Sequence, residues 1–354
     1  MKKIAGCLIL LFIAALLSCP NQAISTTGSF ADSRPRAWVV STFAGTGSAG
    51  FKEGAAETAQ FNYLSGVAVD SSGNVYIADS LNNRIRKITP QGIVSTLAGT
   101  GGAGFKDGAA GTAQFRYPYG VAVDSSDNVY VADSLNHRIR MITPQGVVST
   151  IAGDGTTAQF DDPSDVTVDS DGNLYVADRG NHRIRMITPE RVISTLAGTG
   201  APGFYEGNGV GAQFYSPRGV TMDAAGHVLV ADFENLRIRK ITITRSGGGS
   251  VTGSVVSTIA GDGTTERFNN PAGVAMDSSG NIYVTDYSGH RIRMITPQGA
   301  VSTIAGDGVA SHNDGLGTSA RFTYPFGVAV DSSGSVYVAE YGGNRVRKIE
   351  YKVP

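Results

Sequence analysis

Cysteine is nearly missing from this chain: two residues in 354, Cys7 and Cys19, both close to the N-terminus. Everything after Cys19 is thiol-free, which excludes disulfide frameworks, cysteine nucleophiles and Cys-ligated zinc there. Charge is scarce too, at 17% of residues, against roughly 25% in an average soluble protein. With 29 basic and 30 acidic side chains the net charge is −1, so there is no global attraction to nucleic acid or an anionic membrane surface. Proline is limited to 13 residues. Glycine alone is abundant, 47 residues, about twice the usual ~7%. It follows no Gly-X-Y period, which excludes collagen, and the regular apolar segments exclude bulk disorder. Tight turns between many short strands account for the glycine.

Met1-Lys2-Lys3 is a short basic start, and Ile4 to Leu17 is almost unbroken apolar sequence. That is the layout of an export signal over 1–18, too short for a transmembrane helix, which needs about 20 apolar residues. The stretch ends in Leu16-Leu17-Ser18-Cys19, which resembles the lipobox of bacterial lipoproteins. The resemblance implies cleavage before Cys19 and lipidation of its thiol; a secretory signal cut near Ala23 is the alternative. Residues 19–37 then form the lipidated cysteine and a small, polar tether. Loss of Lys2 and Lys3 leaves 27 basic against 30 acidic side chains, a net charge of −3. The expected location is the cell envelope, on the periplasmic side or the cell surface, held to a membrane by the lipid alone; otherwise the protein is secreted.

After Trp38 the sequence repeats itself. GVAVD at 66–70 returns as GVAVD at 120–124, DVTVD at 165–169, GVTMD at 219–223, GVAMD at 273–277 and GVAVD at 327–331, with spacings of 54, 45, 54, 54 and 54 residues. Each copy continues with a turn such as SSGN, a second apolar run such as VYVAD, a third, RIRKI or RIRMI, and a fourth, VSTLAG or VSTIAG. Four β-branched runs separated by turn residues predict a four-stranded antiparallel meander. Six such units at a ~50-residue period predict a six-bladed β-propeller over 38–350, with a short tail at 351–354. An open solenoid would need polar caps at its ends. The ends instead complement each other: the last copy stops after three strands, and the missing fourth, Val39 to Gly45, sits at the start. Pairing the two closes the ring and removes both exposed edges.

The string P-Y-G-V-A-V-D-S-S-D-N-V-Y-V-A-D-S-L-N-H-R-I-R at 118–140 resembles the NHL repeat, and all six copies between 39 and 349 match it. The resemblance implies the propeller. It leaves function open, because NHL-repeat proteins include protein-binding and RNA-binding domains, sensor modules and some lyases.

Rotational symmetry separates structural from functional residues. What every blade carries is explained by what every blade needs; what breaks the pattern is a functional candidate. In all six copies an acid precedes an arginine by five residues: Asp79/Arg84, Asp133/Arg138, Asp178/Arg183, Asp232/Arg237, Asp286/Arg291 and Glu340/Arg345. These read as structural locks rather than catalytic pairs. Of 21 arginines, 12 lie in the R-I/V-R strings and the rest are scattered, so no basic stripe favours RNA. His137, His182 and His290 share one repeat position on different blades, too far apart to hold one metal. Asp169-Ser170-Asp171-Gly172-Asn173 starts like a calcium loop, but its twelfth position is Gly180 rather than Glu, so it reads as a turn. No metal and no cofactor are expected.

The turns after the first and third strands are monotonous (SSGN, TPQG) and share one rim. The opposite rim varies, and its inter-blade connections are long before blades one, two, four and six. Variable loops on a rigid scaffold are where binding resides. On that rim Asp165 replaces a glycine of the repeat, Arg218 is a lone cation, and Tyr119, Phe326, Phe233, Tyr287 and Tyr341 are aromatic. These seven are the candidate ligand-binding residues. The insertion at 244–254 in blade four reads as a tolerated loop. Two functions compete: a non-catalytic binding propeller for a protein or glycan, and a lyase or lactonase with a channel metal, which six-bladed relatives suggest. No Ser/His/Asp arrangement, phosphate loop or dinucleotide fingerprint supports the enzyme.

Overall fold

The computed structural model describes residues 35–247, 249–261 and 267–354; the expected export signal, Cys19 and most of the tether lie outside them. The repeated runs fold as the alternation of β-branched residues dictates. In blade one, Leu64–Val69 pairs with Val75–Asp79, which pairs with Arg84–Ile88, which pairs with Ile93–Ala98. The turns are built by their own side chains. Asp70 accepts from the backbone N–H groups of Ser72 and Asn74 at 2.9 and 2.8 Å, which closes the first hairpin. Gly92, at φ +76°, ends the Thr89–Gly92 turn.

Six such antiparallel sheets form the ring. In blade six, Ala37–Ala44 from the start of the chain pairs antiparallel with Arg345–Lys352, Val40 opposite Ile349. The fourth strand is thus supplied by the other end of the chain. The last strand runs on to Lys352, so Tyr351 and Lys352 of the expected tail are paired, opposite Trp38 and Ala37. The core is a series of apolar layers between adjacent blades rather than one central mass. Val67, Ile77 and Ile88 of blade one pack against Ala329, Tyr337 and Val346 of blade six, and the other interfaces repeat the pattern.

The long connections serve the fold. Gly54–Ala55, Gly108–Ala109, Gly207–Asn208 and Gly315–Leu316 each add a short fifth strand to the outer edge of blades one, two, four and six. Blades three and five, with short connections, have four strands. An uncovered outer strand exposes a row of N–H and C=O groups, and an acid in each long loop helps cover it: Glu53 accepts from Thr96 N–H at 2.8 Å and Asp314 from Thr42 N–H at 3.0 Å. The blade-four insertion is not a loose loop either. It extends the third and fourth strands to Arg237–Arg245 and Val251–Ala260. Arg245 then reaches blade three, 3.1 Å from Asp169 and 2.8 Å from the Tyr175 hydroxyl.

Neighbouring blades are latched at the position that carries histidine or asparagine. Asn83 accepts from Tyr117 N–H at 3.0 Å, Asn344 from Tyr63 N–H at 2.8 Å, and His137, His182 and His290 through Nδ1 from the N–H groups of Asp162, Ser216 and Tyr324 at 3.1, 3.1 and 3.3 Å. All five latch residues have φ between 50° and 54°, a left-handed conformation that Asn and His tolerate better than most residues. Burial holds His182 below the usual imidazole range; burial and then the Arg291 charge do so for His290. The unfolded chain therefore takes up these protons first, and the latches' contribution is lost as pH falls below about 6.5. Replacing His182 and His290 by Asn, the residue of blades one and six, should flatten the fall in melting temperature between pH 7 and 5. An unchanged pH slope would contradict the latch.

Candidate functional site

The six acids after the second strand are buried, and they do bind arginine, but the partner differs from the one expected. Strand register places Asp79 directly opposite Arg84. Arg84, at the strand end, instead turns outward to the carbonyls of Asn82 and Thr100 and stacks 3.9 Å from the Phe51 ring centroid. Arg86, one pleat deeper, makes the ion pair: 2.8 Å to Asp79, with neither side chain exposed.

The correction extends around the ring. Arg138 does not pair with Asp133: it donates to the carbonyls of Asn136 and Asp154 at 3.0 and 2.8 Å and stacks 3.9 Å from the Phe105 ring centre. Arg237 likewise leaves Asp232 for the Asn235 carbonyl and the Phe204 ring. Arg291 turns from Asp286 to the Asp307 carbonyl, and Arg345 from Glu340 to the carbonyls of Gly343 and Thr46. The physical reason is the same in each blade. The first arginine sits at the strand end beside the unpaired carbonyls of the turn and connection, while the second points into the buried space that holds the acid. That second arginine, seven residues after the acid, gives Arg140–Asp133 at 2.7 Å, Arg185–Asp178 at 3.4 Å, Arg239–Asp232 at 2.9 Å, Arg293–Asp286 at 3.7 Å and Arg347–Glu340 at 3.4 Å. Blade three alone keeps the expected pair as well, Arg183 to Asp178 at 3.1 Å.

Asp79 further accepts from Asn62 N–H and the Asn82 amide, while Arg86 donates to the carbonyls of Gln60 and Lys52. Each node therefore ties two strands to the incoming connection. Burial pushes all six carboxyls upward, Asp232 to about 6 and Glu340 to about 7. With their oxygens committed, these acids have none aimed at a ligand.

The symmetry-breaking residues converge on one mouth of the central channel, though not as an open surface. Tyr119, Phe233 and Phe326 are buried with Ala272, and the half-buried Tyr117, Tyr287 and Tyr341 pack on them. Tyr119 meets Phe326 edge-on at 4.8 Å between ring centres, and the Tyr117 and Tyr341 hydroxyls bond each other across the mouth. Arg218 lies in this cluster, 3.9 Å from the Phe233 ring centre, and donates to the Tyr119 hydroxyl at 3.0 Å. Aromatic residues from blades two, four, five and six thus plug the mouth. The exposed residues at this end are ones the sequence reading did not single out: Tyr63 (39%), Tyr324 (40%), Tyr215 (43%) and Leu81 (45%). Their signal was available, since Tyr63 and Tyr324 precede the innermost strands as Tyr117 does.

Below the plug the channel narrows to a neck. A Cβ placed on Gly66 would meet the Tyr119 carbonyl at 2.5 Å; on Gly219, the Ala272 carbonyl at 2.5 Å; on Gly327, the Ser65 carbonyl at 2.3 Å. Only glycine lets six inner strands approach so closely. Asp165 is the exception, and its carboxylate fills the space facing Gly120. It accepts from Val220 N–H of blade four at 2.9 Å. The channel space, about 200 Å³, is otherwise walled chiefly by Gly, Val, Ala and Met, with Thr167 and Thr221 adding hydroxyls on blades three and four. Among the described residues that wall, Asp165 is the one carboxylate, too few to hold a metal as a channel-centred hydrolase would need. Burial raises the Asp165 carboxyl to about 7.

One further group comes together: His137, Asp161 and Asp162 have ligand atoms within 4.8 Å of one another. Two of its members are already engaged. His137 Nδ1 accepts from Asp162 N–H, and Asp162 pairs with Arg179 at 2.8 Å. This juxtaposition across blades two and three was not visible in the sequence.

Asp165 gives a signed test. Unfolded, an aspartate titrates near 3.9; folded, this one titrates near 7. Between those values the folded state holds a proton that the unfolded chain has released, so its stabilising contribution is lost as pH rises toward 7. Asp165→Asn keeps the acceptor for Val220 without the charge. It should be more stable than the parent by more than about 1 kcal/mol at pH 8, with the difference shrinking toward pH 4. Equal denaturant midpoints at pH 8 would contradict this.

The NHL repeat family model matches residues 61–88, 115–140, 160–185, 214–241, 268–293 and 322–349. Protein SUPPRESSOR OF QUENCHING 1, chloroplastic, of Arabidopsis thaliana is 26% identical over 86% of this chain, which spans only 26% of that protein's length. Among solved structures, an auxiliary nutrient binding protein from Bacteroides thetaiotaomicron superposes with a TM-score of 0.69 at 16% identity, covering 90% of this chain and 77% of the other. A gluconolactonase from Xanthomonas campestris superposes with a TM-score of 0.61 at 13% identity, covering 92% and 96%. At these identities a binding protein and an enzyme share the fold and nothing finer. Six matched repeats on six observed blades place this chain among the NHL-repeat β-propellers.

Proposed function

We propose that this is an exported, lipid-anchored binding propeller without catalytic activity, presenting the plugged mouth to a protein or glycan partner. The observation that carries the reading is the cluster of aromatic side chains that closes the channel mouth at that end. The buried plug of Tyr119, Phe233 and Phe326 gives a rigid floor, and Tyr63, Tyr215 and Tyr324 stand exposed around it. Tyr63 packs edge-on against Tyr341 at 4.7 Å, and Tyr324 lies 5.0 Å from Tyr287. Tyrosine held rigid beside an apolar floor offers area and a hydroxyl at little entropic cost, as recognition surfaces do. The turns of the opposite rim are near-identical apart from the blade-four hairpin. The lipid at Cys19 and the polar tether would hold the disc off the membrane, and no nucleic acid partner is proposed.

The first experiment is crosslinking or pull-down with the mature domain, followed by variants of the recovered complex. Tyr63→Ala and Tyr324→Ala should each weaken binding by about 1 kcal/mol or more, with stability within about ±0.5 kcal/mol. Gln145→Ala, on the repetitive rim, should leave binding alone. A partner sensitive to Gln145 and indifferent to both tyrosines would reverse the assignment of faces. In the parent cells, Cys19→Ala should release the protein from the membrane fraction or block removal of the signal. Mass spectrometry showing an unmodified N-terminus downstream of Cys19 would contradict the anchor.

A further inference from the structure

One blade interface is filled differently from the others. In five blades the second residue of the second strand is tyrosine: Tyr76, Tyr130, Tyr175, Tyr283 and Tyr337. Each ring packs against the next blade, and its hydroxyl donates to the aspartate ending the innermost strand of its own blade. The distances are 2.9 Å to Asp70, 3.1 Å to Asp124, 2.9 Å to Asp169, 3.0 Å to Asp277 and 3.2 Å to Asp331. Blade four has Leu229 instead, beside Asp223. Against Leu229 a cavity of about 370 Å³ opens between blades four and five, lined by Leu229, Ile282, Ile295 and Pro297 with Asp223 and Lys240 among its walls.

The lysine shows what the space lacks. Lys87 and Lys348 hold the position of Lys240 in blades one and six, and there Nζ lies over the tyrosine ring, 5.4 and 5.6 Å from its centre. With no ring beneath it, Lys240 drops onto the carboxylate, Nζ 2.7 Å from Asp223 Oδ2. An apolar wall with one acceptor and one cation beside it suits a flat apolar ring bearing a single donor.

We propose that this cavity binds a phenol ring, carried either by a small molecule or by a tyrosine of a partner. The ring packs against Ile259, Met276 and Pro297 above the buried Leu229, its hydroxyl donates to Asp223, and Lys240 moves over the ring face as Lys87 does over Tyr76. The site lies beside the Thr296–Gly299 turn, on the rim opposite the aromatic plug, so it stands or falls independently of the mouth-face reading.

The test is ¹⁹F NMR of the mature protein titrated with 4-fluorophenol and, separately, 4-fluoroanisole, which has the ring without the donor. 4-Fluorophenol should bind saturably and the anisole about tenfold more weakly or not at all, the usual loss for a hydrogen bond to a charged acceptor. Leu229→Tyr should fill the cavity from within, abolish 4-fluorophenol binding and raise the melting temperature. If that variant fails to fold, Leu229→Phe blocks the same space and provides the binding readout. Tighter binding of an acetyl-Gly-Tyr-Gly amide than of free phenol assigns the site to a partner tyrosine; the reverse assigns it to a small phenol. Equal affinity for phenol and anisole, no saturable binding, or unchanged binding in the filled variant overturns the proposal.

Discussion

Burying six carboxylates is the constraint on which the rest of this molecule depends. A carboxylate out of water costs several kcal/mol unless its oxygens are paired and hydrogen-bonded, and each blade answers in the same way. The second arginine of R-I/V-R pairs with the acid, backed by a buried phenylalanine such as Phe61 or Phe322 with the guanidinium 5.2 and 4.9 Å from the ring centre. It then reaches loop carbonyls in the connection that enters the blade. That geometry fixes where each connection crosses the sheet, and hence how one blade follows the next. The histidine and asparagine latches and the glycine neck refine a spacing the ion pairs have already imposed.

The fold was legible because its signals are local and repeated. The regular recurrence of Asp70, Asp124 and their copies, the alternation within VYVAD, and the three-stranded last copy specify blades, strands and closure. Side-chain partners were less legible. Arg84 and Arg86 lie on the same face of one strand, as do Arg138 and Arg140, and only the loop crossing above them decides which turns inward. The long connections looked like binding loops, yet Gly54–Ala55 and its counterparts cover strand edges. That role depends on pairing with strands distant in sequence, in blade six with the first strand of the chain. Tyr119, Phe233 and Phe326 cluster at the channel mouth, and their burial arises from contacts among four blades, which no local pattern records.

The same symmetry orders the functional reading. Residues at the recurring positions are used up by the fold: the acids in ion pairs, the histidines and asparagines of the latches as hydrogen-bond acceptors, the Asp-Asn-Tyr groups in turns. What remains is unequal around the ring: one carboxylate at the neck, an arginine held among aromatic rings, tyrosines exposed at one end, and one interface where a tyrosine is replaced by leucine. The proposed recognition surface is built from these departures.

The most direct measurement of this account is a double-mutant cycle on the second blade, pairing Asp133→Asn with Arg140→Met and reading stability by denaturant unfolding. If the pair is a structural node, each single change leaves a buried group unsatisfied and costs about 3–5 kcal/mol. The double variant should then cost clearly less than the two together. Small, additive losses would mean that the acid and arginine stand free of one another. The six acids would then have to be reconsidered as functional groups.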